Sequence, residues 1–435
     1  MPARRPGPSR RELLRASVAG AVGGLLRPRV AGATASKGTV SGGTVSAADR
    51  RFIFVVNYGG WDPLFAFAPL FGYEHVEMEA EAALATAGNI SYVDHPDRPS
   101  VRAFFEGHHA RTLVLNGLLV PSVAHPPGQR AVLTGTTYQG PFGDWATLLA
   151  VPAAGRYILP SVILSGPSFP GGHGDVVCRA GSHGQLDRLL SGAWSEGLDT
   201  PIAAPSPGTQ GAVEAWLTAR GSRVLAAAPS VQGQAIAAAW AGSRERAAEL
   251  GARRDDVVWG ETASWLDQVD RSVEILAAGL SRCITMSFQD FPWDTHSAND
   301  YYQSPNFENL FAGLLRLVAG LEATPGQVAA TLAEETVIVV LSEMGRTPLH
   351  NGADGRDHWP YTSALLIGAG IAGDRVLGAL DENYAGAPLD LATGDVDAGG
   401  ERIIPPTLGA TLLALGDVDP GDALPGVGVL AGMLA

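Results

Sequence analysis

Lysine is almost missing from this sequence. The chain has 435 residues, 30 of them basic, and Lys37 is the one lysine among 29 arginines. Lys37 lies in a Ser/Gly/Thr-rich stretch near the N-terminus. Mechanisms that need a lysine in a folded body (a Schiff base, a phosphate-loop lysine, a kinase-type ATP lysine) therefore have no residue to use. Cysteine is scarce too: Cys178 and Cys283 are the full complement. That excludes a disulfide framework and a cysteine-rich zinc site, and leaves one pairing open in an oxidising compartment. Charged residues are 17% of the chain, with a net charge of −14 and no basic run in the body. DNA and RNA are therefore excluded as main partners. No segment after the N-terminal region is a continuous apolar run of membrane-spanning length. What is abundant is apolar: 46% of residues are hydrophobic, too many for a disordered chain and enough for a sizeable core.

The first 35 residues do not read as fold. Ser9-Arg10-Arg11-Glu12-Leu13-Leu14 resembles a twin-arginine export signal. A short apolar stretch follows from Ala16 to Leu26, then the small-residue exit Ala31-Gly32-Ala33-Thr34-Ala35. The stretch is too short to span a bilayer, which favours a cleaved signal peptide over an anchor. The twin-arginine route carries folded proteins, so the resemblance implies a periplasmic or extracellular destination. Residues 36–50 read as a flexible tether. Outside residues 1–35 the chain carries 23 basic and 43 acidic residues.

The body alternates apolar runs with helical patterns. Phe52–Val56, Thr112–Leu115, Pro160–Ser165, Ile284–Phe288, Val337–Leu341 and Ala364–Ile367 are apolar without alternation, as buried parallel strands are. Between them, Glu261–Leu280 and Phe307–Leu321 place apolar residues at helical spacing, and the Ala-rich segment near 205–255 reads as helix. The expected fold is α/β, a three-layer sandwich with a largely parallel central sheet over residues 51–435. A helical insertion packed on the sheet is expected at about 205–280.

In such folds the chemistry sits beyond the carboxyl ends of strands. Four segments there carry ligand-type residues: Gly59-Gly60-Trp61-Asp62, Trp293-Asp294-Thr295-His296, Ser342-Glu343-Met344-Gly345-Arg346-Thr347-Pro348 and Arg356-Asp357-His358-Trp359. Singly, each has a plain structural reading. Asp62 before Pro63 shapes a turn, Asp294 caps a segment, and Glu343 and Asp357 pair with the nearby Arg346 and Arg356. Jointly they suit divalent metal held by oxygen and nitrogen.

These same residues resemble the family called domain of unknown function 1501, within the alkaline phosphatase-like and sulfatase-like superfamily. The Ser-Glu-Met-Gly-Arg-Thr-Pro string followed by Asp-His-Trp is the most specific part. The resemblance implies two divalent metal ions, zinc or manganese, held by Asp62, Asp294, His296, Glu343, Asp357 and His358. It also implies hydrolysis of a phosphate or sulfate ester. Where the superfamily has a nucleophile this sequence has His125, at the head of His125-Pro126-Pro127-Gly128-Gln129-Arg130. No Cys or Ser stands at that spot, which argues against the usual sulfatase mechanism and leaves open His125 as nucleophile or metal ligand, Ser122 as a weaker nucleophile, and direct attack by a metal-bound hydroxide. With lysine absent, Arg130, Arg346 and Arg356 are the expected clamps for an anionic small-molecule or polymer substrate, aided by a helix N-terminus. Two functions follow as expectations. One is an exported metal-dependent ester hydrolase. The other is a non-catalytic metal-binding scaffold of the cell envelope with a protein partner.

Overall fold

The computed structural model describes residues 45–181, 184–191, 205–227, 230–260, 262–288 and 291–435. The expected signal and most of the tether lie outside them. The strands are β1 (Arg51–Asn57), β2 (Ala83–Ala87), β3 (Ile90–Asp94), β4 (Thr112–Leu119), β5 (Ser161–Ile163), β6 (Val177–Arg179), β7 (Cys283–Met286), β8 (Thr336–Ser342), β9 (Gly345–Arg346), β10 (His358–Trp359), β11 (Tyr361–Gly368) and β12 (Arg375–Leu377). Eight of them form one sheet in the order β12-β4-β11-β8-β1-β7-β5-β6, while β2–β3 and β9–β10 are separate two-stranded pieces. The larger helices are α1 (Pro99–His108), α2 (His125–Thr134), α3 (Trp145–Ala150), α4 (Gln185–Ser191), α5 (Pro207–Ala227), α6 (Val231–Ala252), α7 (Trp265–Ala277), α8 (Asn299–Ala323), α9 (Leu332–Glu335), α10 (Pro405–Leu415) and α11 (Pro420–Ala423).

The apolar runs are uninterrupted because both faces of the sheet are covered. Ile53 and Val55 of β1 belong to a core with Phe104 of α1, Val269 of α7 and Phe307 and Leu314 of α8. Phe52, Phe54 and Val56 point the other way, into a core with Val132 of α2, Trp145 of α3 and Leu412 of α10. The result is a three-layer α/β sandwich with a mostly parallel sheet, as expected.

β11 departs from the parallel pattern and runs antiparallel to both β8 and β4. The 18 residues from Glu343 to Pro360 that join β8 to β11 hold the small β9–β10 pair and no crossover helix, so the chain turns back at the same edge. This puts the start of β11 beside the ends of β1, β4, β7 and β8.

One expectation is narrowed, and a pairing that the sequence left open is closed. The α5–α6 segment reaches the sheet's core only through the end of α6: none of α5 is buried, while Leu250 of α6 joins the core that includes Ile53 and Ile284. Its alanine-rich sequence has no wide apolar stripe to bury. α7, by contrast, belongs to the sheet's own helical layer. The two cysteines cannot pair, because β5 lies between them. Cys178 stands opposite Val162 and Cys283 opposite Ser161 on the other side. Two strand spacings separate them by about 10 Å, beyond the roughly 7 Å a disulfide spans, and both are free.

Candidate metal centre

Every element that ends or begins at the carboxyl edge contributes. β4 leads to α2, whose first residue is His125. β7 leads to Asp294 and His296, β8 ends directly before Glu343, and His358 opens the short strand before β11. Gly59, at φ +122°, lets the turn after β1 press against the Trp293–Asp294 backbone. A Cβ there would lie 2.8 Å from the Trp293 Cβ and 2.9 Å from the Asp294 nitrogen. Gly355 allows an equally close approach of the Arg356–His358 segment to the His296 backbone, where a Cβ would collide.

Three imidazoles converge on one carboxylate. His296 Nε2 and His358 Nε2 each lie 3.1 Å from Asp294 Oδ1 and 3.0 Å from one another. His125 Nε2 lies 3.3 Å from Asp294 Oδ2, is buried, and has no hydrogen-bond partner. The His125 and His296 rings pack 4.5 and 4.6 Å from the His358 ring. His125, Asp294 and His358 all offer a ligand atom within 4.8 Å of each other.

The opposite ring nitrogens decide what this cluster is. His358 Nδ1 meets the Val123 carbonyl oxygen at 2.5 Å, which only accepts, so Nδ1 carries a proton, and in the neutral ring Nε2 presents a lone pair. His296 Nδ1 lies 2.7 Å from Asp357 Oδ1, and His125 Nδ1 lies 2.8 Å from Glu343 Oε1. The same logic applies to both. Each ring is thus held at Nδ1 with Nε2 facing inward, the arrangement of metal-ligating histidines. Acceptors then face acceptors at 3.0–3.3 Å. Metal–nitrogen and metal–oxygen bonds of about 2.0–2.2 Å separate neighbouring ligands by roughly 3.0–3.4 Å, so His125, Asp294 and His358 could hold a divalent cation, with His296 beside Asp294 and His358.

Asp294 is held for the same purpose. Desolvation opposes its charge, but the Arg346 guanidinium at 2.7 Å leads the contacts that outweigh it and keep the carboxyl well below the usual range. His125 is shifted upward, first by its hydrogen bond to Glu343 and against the effect of burial. Glu343 is fully buried and also accepts from the Gly59 N–H at 2.7 Å.

The remaining expected site residues stand elsewhere or act differently. Asp62 is fully buried: Oδ1 caps the turn by accepting from Leu64 N–H, and Oδ2 faces Asn299 at 3.1 Å and Arg356 at 3.3 Å. Its turn-shaping role, open in the sequence, is the one present, and it is not brought to the histidines. Arg356 has no exposure and donates to the carbonyls of Thr347, Pro348 and Glu77, so it cannot clamp a substrate. Arg346 is likewise buried and donates to the carbonyls of Gly59, Gly60 and Arg356 as well as to Asp294. Its work is to orient Asp294. Glu343 and Asp357 orient histidines instead of joining Asp294 at the centre. Arg130, half-buried, donates to the Thr137 carbonyl at 3.3 Å and lies over the Phe169 ring, with no carboxylate partner among the described residues. The α2 N-terminus is a poorer anion site than expected, because Pro126 and Pro127 lack N–H groups and Gly128 N–H is taken by the Ala124 carbonyl.

Residues without a motif complete the frame. Gln303 on α8 accepts from Asp62 N–H and donates to Trp293 O and Thr295 Oγ1, tying two site loops together. Asn299, Gln303 and Asn306 are fully buried on a helix face otherwise lined by Phe307 and Leu310. Amides at core-facing helical spacing were the available signal.

The model of the protein family of unknown function DUF1501 matches residues 274–415, which include Asp294, His296, Glu343, Asp357 and His358. No curated protein matches the chain. Among solved structures, the chain is similar to a protein in the alkaline phosphatase superfamily from Vibrio parahaemolyticus (10% identity, 89% of this chain and 70% of that one, TM-score 0.37). It is also similar to the PsFucS1 sulfatase from Pseudoalteromonas (12%, 89% and 72%, 0.38) and to a phosphonate monoester hydrolase from Silicibacter pomeroyi (12%, 91% and 78%, 0.38). At these scores the fold assignment rests on the sheet topology above. No helix among the described residues is long and apolar enough to cross a membrane.

Proposed function

We propose that the chain is an exported, metal-dependent hydrolase of phosphate or sulfate esters or related anions, built on one divalent ion. His125, His296, His358 and Asp294 would hold it. The observation that carries this is the meeting of inward lone pairs from three imidazoles and one carboxylate, each ring fixed from behind by Glu343, Asp357 or the Val123 carbonyl. The two-ion expectation is not carried forward, since Asp62 is sealed against Arg356 and Glu343 is engaged behind His125. A divalent ion bound there supplies Lewis acidity toward an ester oxygen and toward water.

The chain's own residues do the rest. Arg346 holds Asp294 charged, and the buried Glu343 keeps the His125 proton on Nδ1. Arg130, which has no carboxylate partner among the described residues, would meet an anionic oxygen. The described hydroxyls next to the centre are engaged: Ser122 Oγ in its own turn, Ser342 Oγ with Trp61 N–H and Glu343, Thr295 Oγ1 with Asn299. This supports attack by water without a covalent intermediate. The purified protein, loaded with zinc or manganese, is to be assayed on phosphate and sulfate monoesters and diesters beside His358→Ala. Turnover in the wild type that vanishes in the variant is expected, and turnover equal in both would refute the reading. The engagement of Arg346 and Arg356 favours the second reading, a metal-binding envelope scaffold, which is supported if metal binds and no ester is turned over.

A further inference from the structure

His350 belongs to no motif and lies outside the donor set, yet its ring is met from both sides. Nδ1 lies 3.0 Å from Glu77 Oε2, and Nε2 lies 3.1 Å from Asp300 Oδ1. The side chain is 15% exposed, and the His350 backbone N–H also donates to Glu77 Oε2 at 3.3 Å. Carboxylate oxygens only accept, and a neutral imidazole has one N–H. A neutral ring would set its second nitrogen's lone pair against an oxygen lone pair, so both contacts are satisfied when both nitrogens carry protons. The metal centre differs, because there the nitrogens of separate rings point to one spot. Here the two contacts leave opposite sides of one ring, and no single cation takes both places. The bond from His350 is also the leading cause that holds the Glu77 carboxyl below its ordinary range. Of the other charged groups around it, Arg356 donates to the Glu77 carbonyl, and Glu79, close enough to Asp300 to feel its charge, is paired with Arg98.

The loop that His350 fastens carries parts of the centre. It runs from Thr347 to Asp357, and His358 follows directly. Asn351 Nδ2 donates to the His296 carbonyl at 3.0 Å, and the Arg356 N–H donates to the Thr295 carbonyl at 2.9 Å. The Ala353 and Asp354 carbonyls accept from the Ala298 and Asn299 N–H groups, at 3.2 and 2.8 Å, where α8 begins. Asp300 stands in the first turn of α8, at the helix's positive end. The imidazolium adds a charged contact between this loop and that turn. It also ties both to the segment before β2, whose Glu77 N–H donates to the Pro348 carbonyl at 2.9 Å. A shift of the loop would draw Asp357 away from His296 Nδ1 and His358 away from Asp294.

We infer that His350 is a positioning residue of the metal centre: as an imidazolium shared by Glu77 and Asp300, it fastens the 347–357 loop and sets Asp357 and His358 in place. Its consequence rests on the metal reading above, whereas the state of the ring rests on its own two contacts.

Two readouts need no metal. Nitrogen magnetic resonance of the metal-free full chain, with isotope-labelled histidine at about pH 6, is expected to show a hydrogen-bonded proton on each His350 ring nitrogen. The signals are assigned by their loss in His350→Gln. Glu77→Ala/Asp300→Ala removes both acceptors and is expected to lose both signals to exchange with water. One ring proton, or none, in the wild type overturns the inference. Hydrogen exchange of the 345–358 stretch is expected to quicken about tenfold in His350→Gln and in Glu77→Ala/Asp300→Ala, with β1 unchanged. Exchange that rises equally in the loop and in β1 marks a general structural role and overturns it. Zinc affinity at fixed pH is expected to fall about tenfold in both variants, and affinity equal to wild type overturns the positioning role. Absence of zinc uptake by the wild type refutes the metal reading alone. Protected ring protons and the loop's slow exchange then still uphold the fastening of the loop, and their absence overturns it.

Discussion

Removing Arg356 separates its structural role from the substrate-clamping one that the sequence suggested. In Arg356→Met a side chain of similar length fills the space but leaves the Asp62 carboxylate without its cation and strips the donors from three carbonyls. Both partners have no solvent exposure, so water cannot replace the lost contacts. Breaking one side of such a buried pair costs about 3–5 kcal/mol. Unfolding entropy of about 2.1 cal/mol/K per residue, over the roughly 390 residues of the body, converts that into a fall of about 4–6 °C in the melting midpoint. Asp62→Asn on its own keeps the cap to Leu64 but sets an amide N–H against the Asn299 donor and leaves the guanidinium unpaired. The double variant removes both charges and is expected to recover more than half of the Arg356→Met loss. Calorimetry or thermal circular dichroism on the four proteins reads the cycle. An Arg356→Met melting point within about 1 °C of wild type, with ester affinity lost, would refute the reasoning and return Arg356 to the substrate.

Three further outcomes test other parts of the account. Gly59→Ala forces a Cβ to 2.8 Å from Trp293 in a backbone conformation that L-residues avoid. It is expected to cost about 2–4 kcal/mol and to weaken metal binding by displacing Asp294, read by calorimetry and metal titration. Arg130→Gln is expected to raise KM for an anionic ester roughly tenfold with kcat little changed, and an unaltered KM removes Arg130 from recognition. Burial pushes the Cys178 and Cys283 thiols up to about 11 and about 12. Both folded-state values lie above the ordinary thiol range, so the thiolate fraction is small at pH 8 and grows only as the pH rises toward them. A thiol reagent at pH 8 is expected to react slowly with native protein and to titrate two thiols after denaturation. Mass spectrometry without reductant is expected to find no disulfide.

The layers of the fold were legible because burial on both faces writes itself as uninterrupted apolar runs, as in Phe52–Val56 and Val337–Leu341. The edge where the histidines meet followed from topology, and the placing of Asp294, His296 and His358 there was legible from their position after those runs. Division of labour among charged residues was not. Arg346 and Arg356 read like anion clamps in one dimension, yet whether a guanidinium faces solvent or three carbonyls depends on segments far apart, such as Glu77 and Pro348. Asp62 followed the local rule that Asp before Pro caps a turn, against the expectation drawn from the resemblance. His125 was visible as an oddity, but its bond to Glu343, 218 residues away, was not. The β11 reversal was equally hidden, because it depends on the absence of a crossover helix in a loop, not on the strand's own residues.

The central claim is one metal ion held by three histidines and an aspartate. Elemental analysis after loading the purified protein with zinc or manganese and removing the excess tests it most directly. About one equivalent per chain is expected, falling to about a tenth in His358→Ala and retained in Asp62→Asn. Two equivalents in the wild type, or loss of metal on Asp62→Asn, would restore a two-ion site through Asp62. No bound metal in the folded wild-type protein would contradict the account outright.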